Sequence, residues 1–108
     1  MVFINILMKL RTNKAIVDII VKHKAIFKCF DSVYLFGSVL DISRVPNDID
    51  LLLIYSMYSK KVEKELKTIS FILEQVCGLP VDLTVLSVRE EFDTQFLKKV
   101  SFRCLKIK

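Results

Sequence analysis

The residues here that could do chemistry are three aspartates and a Gly-Ser pair. Gly37-Ser38 ends the apolar run VYLFG, Asp48-Ile-Asp50 opens DIDLLLIY, and Asp82 lies near the start of VDLTVL. Singly, each has a plain explanation, because Gly-Ser is a common turn and an edge aspartate often caps a turn or stays in water. Together they point to more. Side chains alternate faces along a strand, so Asp48 and Asp50 point the same way. If the strand carrying Asp82 lies alongside, its carboxylate is about 5 Å across in the pairing direction. Three converging carboxylates with no adjacent base repel one another. The usual remedy is a hard divalent cation such as Mg²⁺, which takes oxygen ligands and lets substrate phosphates complete its shell. Such a site can hold two metals about 3.5–4 Å apart for in-line displacement at phosphorus. A Gly-Ser turn beside it can offer backbone N–H groups and a hydroxyl to a triphosphate.

The flanking elements must bring these residues together. Residues 12–28 carry Ile16, Ile19, Ile20, His23, Ile26 and Phe27 at helical spacing, with Thr12 or Asn13 as N-cap. Residues 33–37 form a first strand and 48–55 a second, whose long apolar run predicts burial on both faces. A second helix over 60–76 places Val62, Leu66, Ile69, Leu73 and Val76 on one stripe. Ser59 caps it, and Gly78 and Pro80 follow where it must stop. VDLTVL (81–86) is a third strand, and Ser87-Val-Arg-Glu90 fits a capping box opening a short helix to about residue 98. The tail KKVSFRCLKIK fits a last strand or a frayed end. The short link from Ser38 to Asp48 suits antiparallel strands, and the crossover helix suits parallel ones. All three chemical features then meet at one sheet edge. The class is α/β (α+β), a small mixed sheet with helices packed on it.

The chain has 108 residues, 53% of them hydrophobic, with 2 Gly and 2 Pro, which excludes a disordered or collagen-like chain and fits one domain spanning 1–108. The net charge of +5 is unevenly spread. Six Lys/Arg face one Asp in residues 1–30, five face eight acids in 31–86, and six face three in 87–108. Basic ends can meet nucleic acid or an acidic partner, but ordinary solubility explains them more simply. Cys29, Cys77 and Cys104 are odd in number and widely spaced, which argues against a disulfide scaffold or cysteine zinc site and for a reducing compartment. The apolar start MVFINILM lacks a basic flank and is too short to span a bilayer, so the cytoplasm is the expected address. His23 reads as a packed side chain and the phenylalanines as core. The cysteines read as small buried hydrophobes, and Glu63 and Lys67 have favourable i,i+4 order.

The segment LFGSVLDISRVPNDIDLLLIY resembles the core motif of the DNA polymerase beta-like nucleotidyltransferases, in which G-S is followed after a spacer by D-x-D. VDLTVLS resembles the stretch that carries their third carboxylate. The chain is most similar to the minimal nucleotidyltransferases (MNT), often the antitoxin half of HEPN/MNT toxin–antitoxin pairs. The resemblance covers about residues 15–98. It implies Mg²⁺-dependent transfer of AMP from ATP to a tyrosine hydroxyl of a HEPN toxin, with pyrophosphate leaving. Asp48 and Asp50 would hold the metals, Asp82 would complete the site and help deprotonate the acceptor, and Gly37 and Ser38 would grip the triphosphate. The sequence departs from the MNT pattern after G-S. Where an arginine and a glycine are usual it has Val39, Leu40, Asp41 and Ile42, and its single arginine there is Arg44. Two alternatives stand beside this reading. One is a non-catalytic module that neutralises its partner by binding, and the other is nucleotidyl transfer to RNA or a small molecule.

Overall fold

The computed structural model describes residues 13–108; the expected cap at Thr12 and the apolar start lie outside them. Helix α1 runs Asn13–Lys22, and a 3-10 turn, Lys24–Phe27, continues it. The expected single helix therefore tightens at His23, whose N–H is shared between the carbonyls of Ile19 and Ile20 at 3.1 Å each. Lys108 caps this end from the tail, donating from Nζ to the carbonyls of Phe27 (3.2 Å) and Phe30 (2.5 Å). A cation at orphaned helix carbonyls is favoured by both hydrogen bonding and the dipole.

Four strands follow: β1 (Ser32–Phe36), β2 (Ile49–Tyr55), β3 (Val81–Ser87) and β4 (Cys104–Lys106), in sheet order β3-β2-β1-β4. β1 runs antiparallel to β2 and β2 parallel to β3, as the link lengths predict, and β1 also pairs antiparallel with β4. The last strand settles the ambiguous tail, which closes the sheet beside β1. Ile49, Leu51, Leu52, Leu53 and Ile54 of β2 are all buried, so its continuous apolar run does reflect cover on both faces.

Helix α2 (Lys60–Cys77) is the crossover between β2 and β3. Ser59 accepts from the Val62 N–H, and Gly78, at φ 71°, donates to Glu74 O at 2.9 Å. The left-handed conformation at Gly78 is the standard use of glycine after a helix. Val62, Ile69 and Leu73 are buried as expected, but Cys77 completes the stripe and Val76 is exposed, because the last turn rotates Cys77 onto the core. Glu63 makes no salt bridge with Lys67; its carboxylate accepts from the Tyr58 hydroxyl at 3.2 Å.

The capping box between Ser87 and Glu90 opens α3 (Val88–Thr94), as predicted. The helix does not reach residue 98 unbroken. Gln95 adopts φ 54° and starts a separate turn, α4 (Phe96–Val100). Its side chain donates to Phe92 O at 2.8 Å and its N–H to Glu91 O at 2.9 Å, which hold a conformation that glycine usually takes. The core gathers α1, α2 and the sheet around Ile16, Ile20, Phe27, Phe30, Val33 and Leu35. Not every phenylalanine joins it: Phe71, Phe92 and Phe102 are exposed. Cys29 and Cys104 are half-buried, Cys77 is buried, and all three are free thiols. Among the described residues no helix is long and apolar enough to cross a membrane.

Candidate functional site

The sheet register assembles the site. Phe36 of β1 pairs with Asp50 of β2, and Asp50 pairs with Asp82 of β3. Asp48 precedes β2, two residues before Asp50. The chain leaves β1 at Gly37 and makes a 3-10 turn, Gly37–Leu40, that sits beside the start of β2. Gly37 and Ser38 thus stand at the same edge as the three carboxylates.

Glycine is required at position 37 for two reasons. Its φ is +81°, in the left-handed region, and a Cβ there would collide with the Asp50 carboxylate oxygen Oδ2. The backbone passes so close to Asp50 that any side chain at position 37 would displace its carboxylate or the turn. Ser38 is buried, and its hydroxyl donates to Asp48 Oδ1 at 3.3 Å. It is therefore tied to a carboxylate before any ligand arrives.

The three carboxylates have no compensating base among the described residues. Burial pushes the Asp50 carboxyl up to about 6, reinforced by the charges of Asp48 and Asp82 and by a hydrogen bond with Asp48. Among the described residues no salt bridge reaches Asp48, Asp50 or Asp82; the three present are Arg44–Asp41, Arg89–Asp93 and Arg103–Asp41. Oxygen donors of this kind suit Mg²⁺ rather than a softer metal. The side chains do not yet close on one point, however. No group of three or more His, Cys, Asp or Glu among the described residues has metal-holding spacing. Asp48 and Asp50 meet through their hydrogen bond, while Asp82, exposed on β3, faces Asp50 across the strand pair.

Asp41 has a role that the sequence does not suggest. It accepts from the Ser43 hydroxyl at 2.6 Å and the Ser43 N–H at 3.1 Å, and its Oδ2 lies 3.3 Å from Arg44 Nε and 3.0 Å from Arg103 Nη1. These partners, Ser43 first, hold its carboxyl below the ordinary value. Asn13 was also missed as a site residue. Its side-chain amide donates to the carbonyls of Val39 (2.6 Å) and Asp41 (3.0 Å) and fixes the loop after Gly-Ser. Neither contact has a local signal, since Asn13 and Arg103 are far in sequence from the loop they touch. His23 is the packed side chain expected, its Nδ1 donating to Ile19 O at 2.8 Å.

No family model matches the sequence, and no curated protein does. A solved structure does match. The chain superposes with a TM-score of 0.53 on a chain of the complex between the tri-AMPylated Shewanella oneidensis HEPN toxin and MNT antitoxin. The two share 17% sequence identity over 89% of this chain and 71% of that one. The fold is the polymerase beta-like nucleotidyltransferase fold. At that identity the likeness is one of fold, and function has to be argued from the site.

Proposed function

We propose that this protein is a Mg²⁺-dependent nucleotidyltransferase of the MNT type, acting in the cytoplasm as the antitoxin of a HEPN-type partner and transferring AMP from ATP to a tyrosine hydroxyl on it. The observation that carries the reading is the cross-strand pair Asp50–Asp82, with Asp48 beside it and the Gly37 backbone against Asp50. The solved complex of similar fold supports it, since its toxin carries AMP groups and its partner is an MNT antitoxin.

In this reading Asp48 and Asp50 would hold the metal ions and Asp82 would complete the set; when bound, Mg²⁺ would supply positive charge against the α-phosphate and the departing pyrophosphate. The chain's own residues do the rest. Gly37 and Ser38 present backbone N–H groups to the triphosphate, and the absence of a Cβ at Gly37 leaves room for the Asp50 carboxylate beside that turn. Asp82, exposed at the edge, takes the proton of the acceptor hydroxyl. The acceptor oxygen bonds to the α-phosphorus as the bond to the β-phosphate oxygen breaks.

A second reading is neutralisation by binding alone, which needs a partner surface but no transfer of AMP. One experiment separates the two. ATP labelled in its α-phosphate is given to the protein with its HEPN partner, for wild type and Asp48→Ala. Loss of one charge-stabilising carboxylate should slow transfer by roughly a hundredfold or more. Binding, spread over about 800 Å² per side, should survive. Label on the partner with wild type alone supports the enzyme. If both proteins bind and neutralise equally and neither transfers label, binding is the whole function.

A further inference from the structure

The triphosphate needs a cation that the carboxylate edge does not supply, and the sheet places one. β1 pairs with β2 on one side and β4 on the other, so Phe36 lies between Asp50 and Cys104. One step further along these strands stand Gly37 and Arg103. The Gly37–Leu40 turn is thus flanked by carboxylates on the β2 side and by a guanidinium on the β4 side, and β4 packs against the turn. Arg103 is not adrift there. Its Nη1 binds Asp41 Oδ2 at 3.0 Å, its Cζ lies 5.7 Å from the Phe102 ring centroid, and 43% of its side chain remains open to solvent.

We propose that Arg103 is the triphosphate-binding guanidinium of this site, held beside the Gly37–Leu40 turn by Asp41 until nucleotide arrives. This rests on the nucleotidyltransferase reading and adds a binding residue from a part of the chain outside the Gly-Ser…Asp-x-Asp motif. The chemistry is specific. A triphosphate lying over Gly37 and Ser38 with its α-phosphate toward Asp48 and Asp50 can extend its terminal phosphate across the turn, and β4 with Arg103 lies on that side. A guanidinium presents a planar fork of N–H donors that matches two phosphate oxygens, which an ammonium cannot do. Asp41 gives the free protein a stand-in anion for the same fork. Its second arginine, Arg44, leaves the trio with one net positive charge, so an incoming phosphate still meets an attractive field. The Asp that replaces the usual residue after Gly-Ser then works as the holder of the phosphate-binding group.

The alternative is that Arg103 only straps the tail to the loop. Calorimetric titration of the full chain, in Mg²⁺, with α,β-methylene-ATP and separately with AMP distinguishes them. Arg103→Gln should weaken the triphosphate by roughly tenfold, the worth of one charged hydrogen-bonding group, and AMP by less than twofold. Arg103→Lys, which keeps charge but loses the fork, should fall between wild type and Arg103→Gln; it also serves if the glutamine variant melts early. Wild-type triphosphate affinity in both variants, or equal losses for the two nucleotides, overturns the assignment while leaving the nucleotidyltransferase reading intact. A wild-type protein that binds neither nucleotide overturns that reading, and Arg103 with it.

Discussion

The two ends of β2 treat their carboxylates in opposite ways. At its far end Asp31 accepts from the Ser56 hydroxyl, and its N–H donates to Ile54 O at 2.8 Å. Close by, Tyr55 and Tyr58 pack edge to face at 5.8 Å and the Tyr58 hydroxyl donates to Glu63. Each acid there has a donor from the protein itself. At the near end Asp50, whose pKa is raised by burial and then by the charges of Asp48 and Asp82, also lies against the backbone of residue 37. One end is satisfied by its own neighbours, while the other keeps carboxylates together at a cost. Costs of this kind gather at functional sites, and in the proposed reading a ligand that supplies positive charge would offset this one.

Substitutions at the two positive-φ glycines should break this contrast most visibly. Gly37→Ala and Gly78→Ala both place a side chain in the left-handed region, which costs about 1 kcal/mol. Gly78 has nothing within 4 Å of a built Cβ, so its cost should stop there. Gly37→Ala also drives a methyl into Asp50, and its total should reach about 2–4 kcal/mol as the turn or the carboxylate is displaced. Urea unfolding of both variants checks this; equal costs would mean the Gly37 turn yields freely.

A smaller effect should follow pH. The Asp50 carboxyl lies at about 6 in the folded protein against an ordinary 3.8. The folded state therefore holds that proton more tightly than the unfolded chain. The stability it contributes is fully present below about pH 4 and is lost as pH rises through 6. Without metal, Asp50→Asn should remove this decline and melt higher than wild type at pH 7. Asp31→Asn, at the satisfied end, should give no such gain. Melting curves from pH 4 to 8 report both, and a wild-type decline that persists in Asp50→Asn would assign it to another group.

The smallest effect belongs to the exposed pair at the far end. Tyr58→Phe removes one hydrogen bond in water and should leave the melting temperature within error of wild type. A clear loss would mean that this end also depends on a strained polar arrangement.

Most of what positions the site was legible in the sequence because it follows from local period and link length. The apolar run after Asp50, the caps at Ser59 and Ser87 and the short Ser38–Asp48 link determine strand direction, and strand direction brings Asp50 opposite Asp82. What escaped was set by residues distant in sequence. Asn13 tying down the Val39 and Asp41 carbonyls, and Arg103 reaching Asp41, are contacts that no spacing rule encodes. The break at Gln95 escaped for another reason. Glycine is the sequence signal for a left-handed cap, and here side-chain and backbone hydrogen bonds hold glutamine in that conformation instead. The exposed phenylalanines are assigned to the core by residue type alone; Phe71 stands two residues from both Ile69 and Leu73, off the buried stripe of α2.

In the proposed reading the near end of β2 is a site for Mg²⁺ with a nucleoside triphosphate. Thermal melting of wild type and Asp50→Asn, with and without Mg²⁺ and α,β-methylene-ATP, tests it most directly. A ligand at a hundred times its dissociation constant stabilises by about 2.7 kcal/mol, and each kcal/mol raises the melting temperature of a domain this size by about 4–8 °C. Wild type should therefore melt roughly 10 °C higher or more with both present, and Asp50→Asn should not shift. A wild-type curve indifferent to metal and nucleotide together, or an equal shift in the variant, would contradict the account.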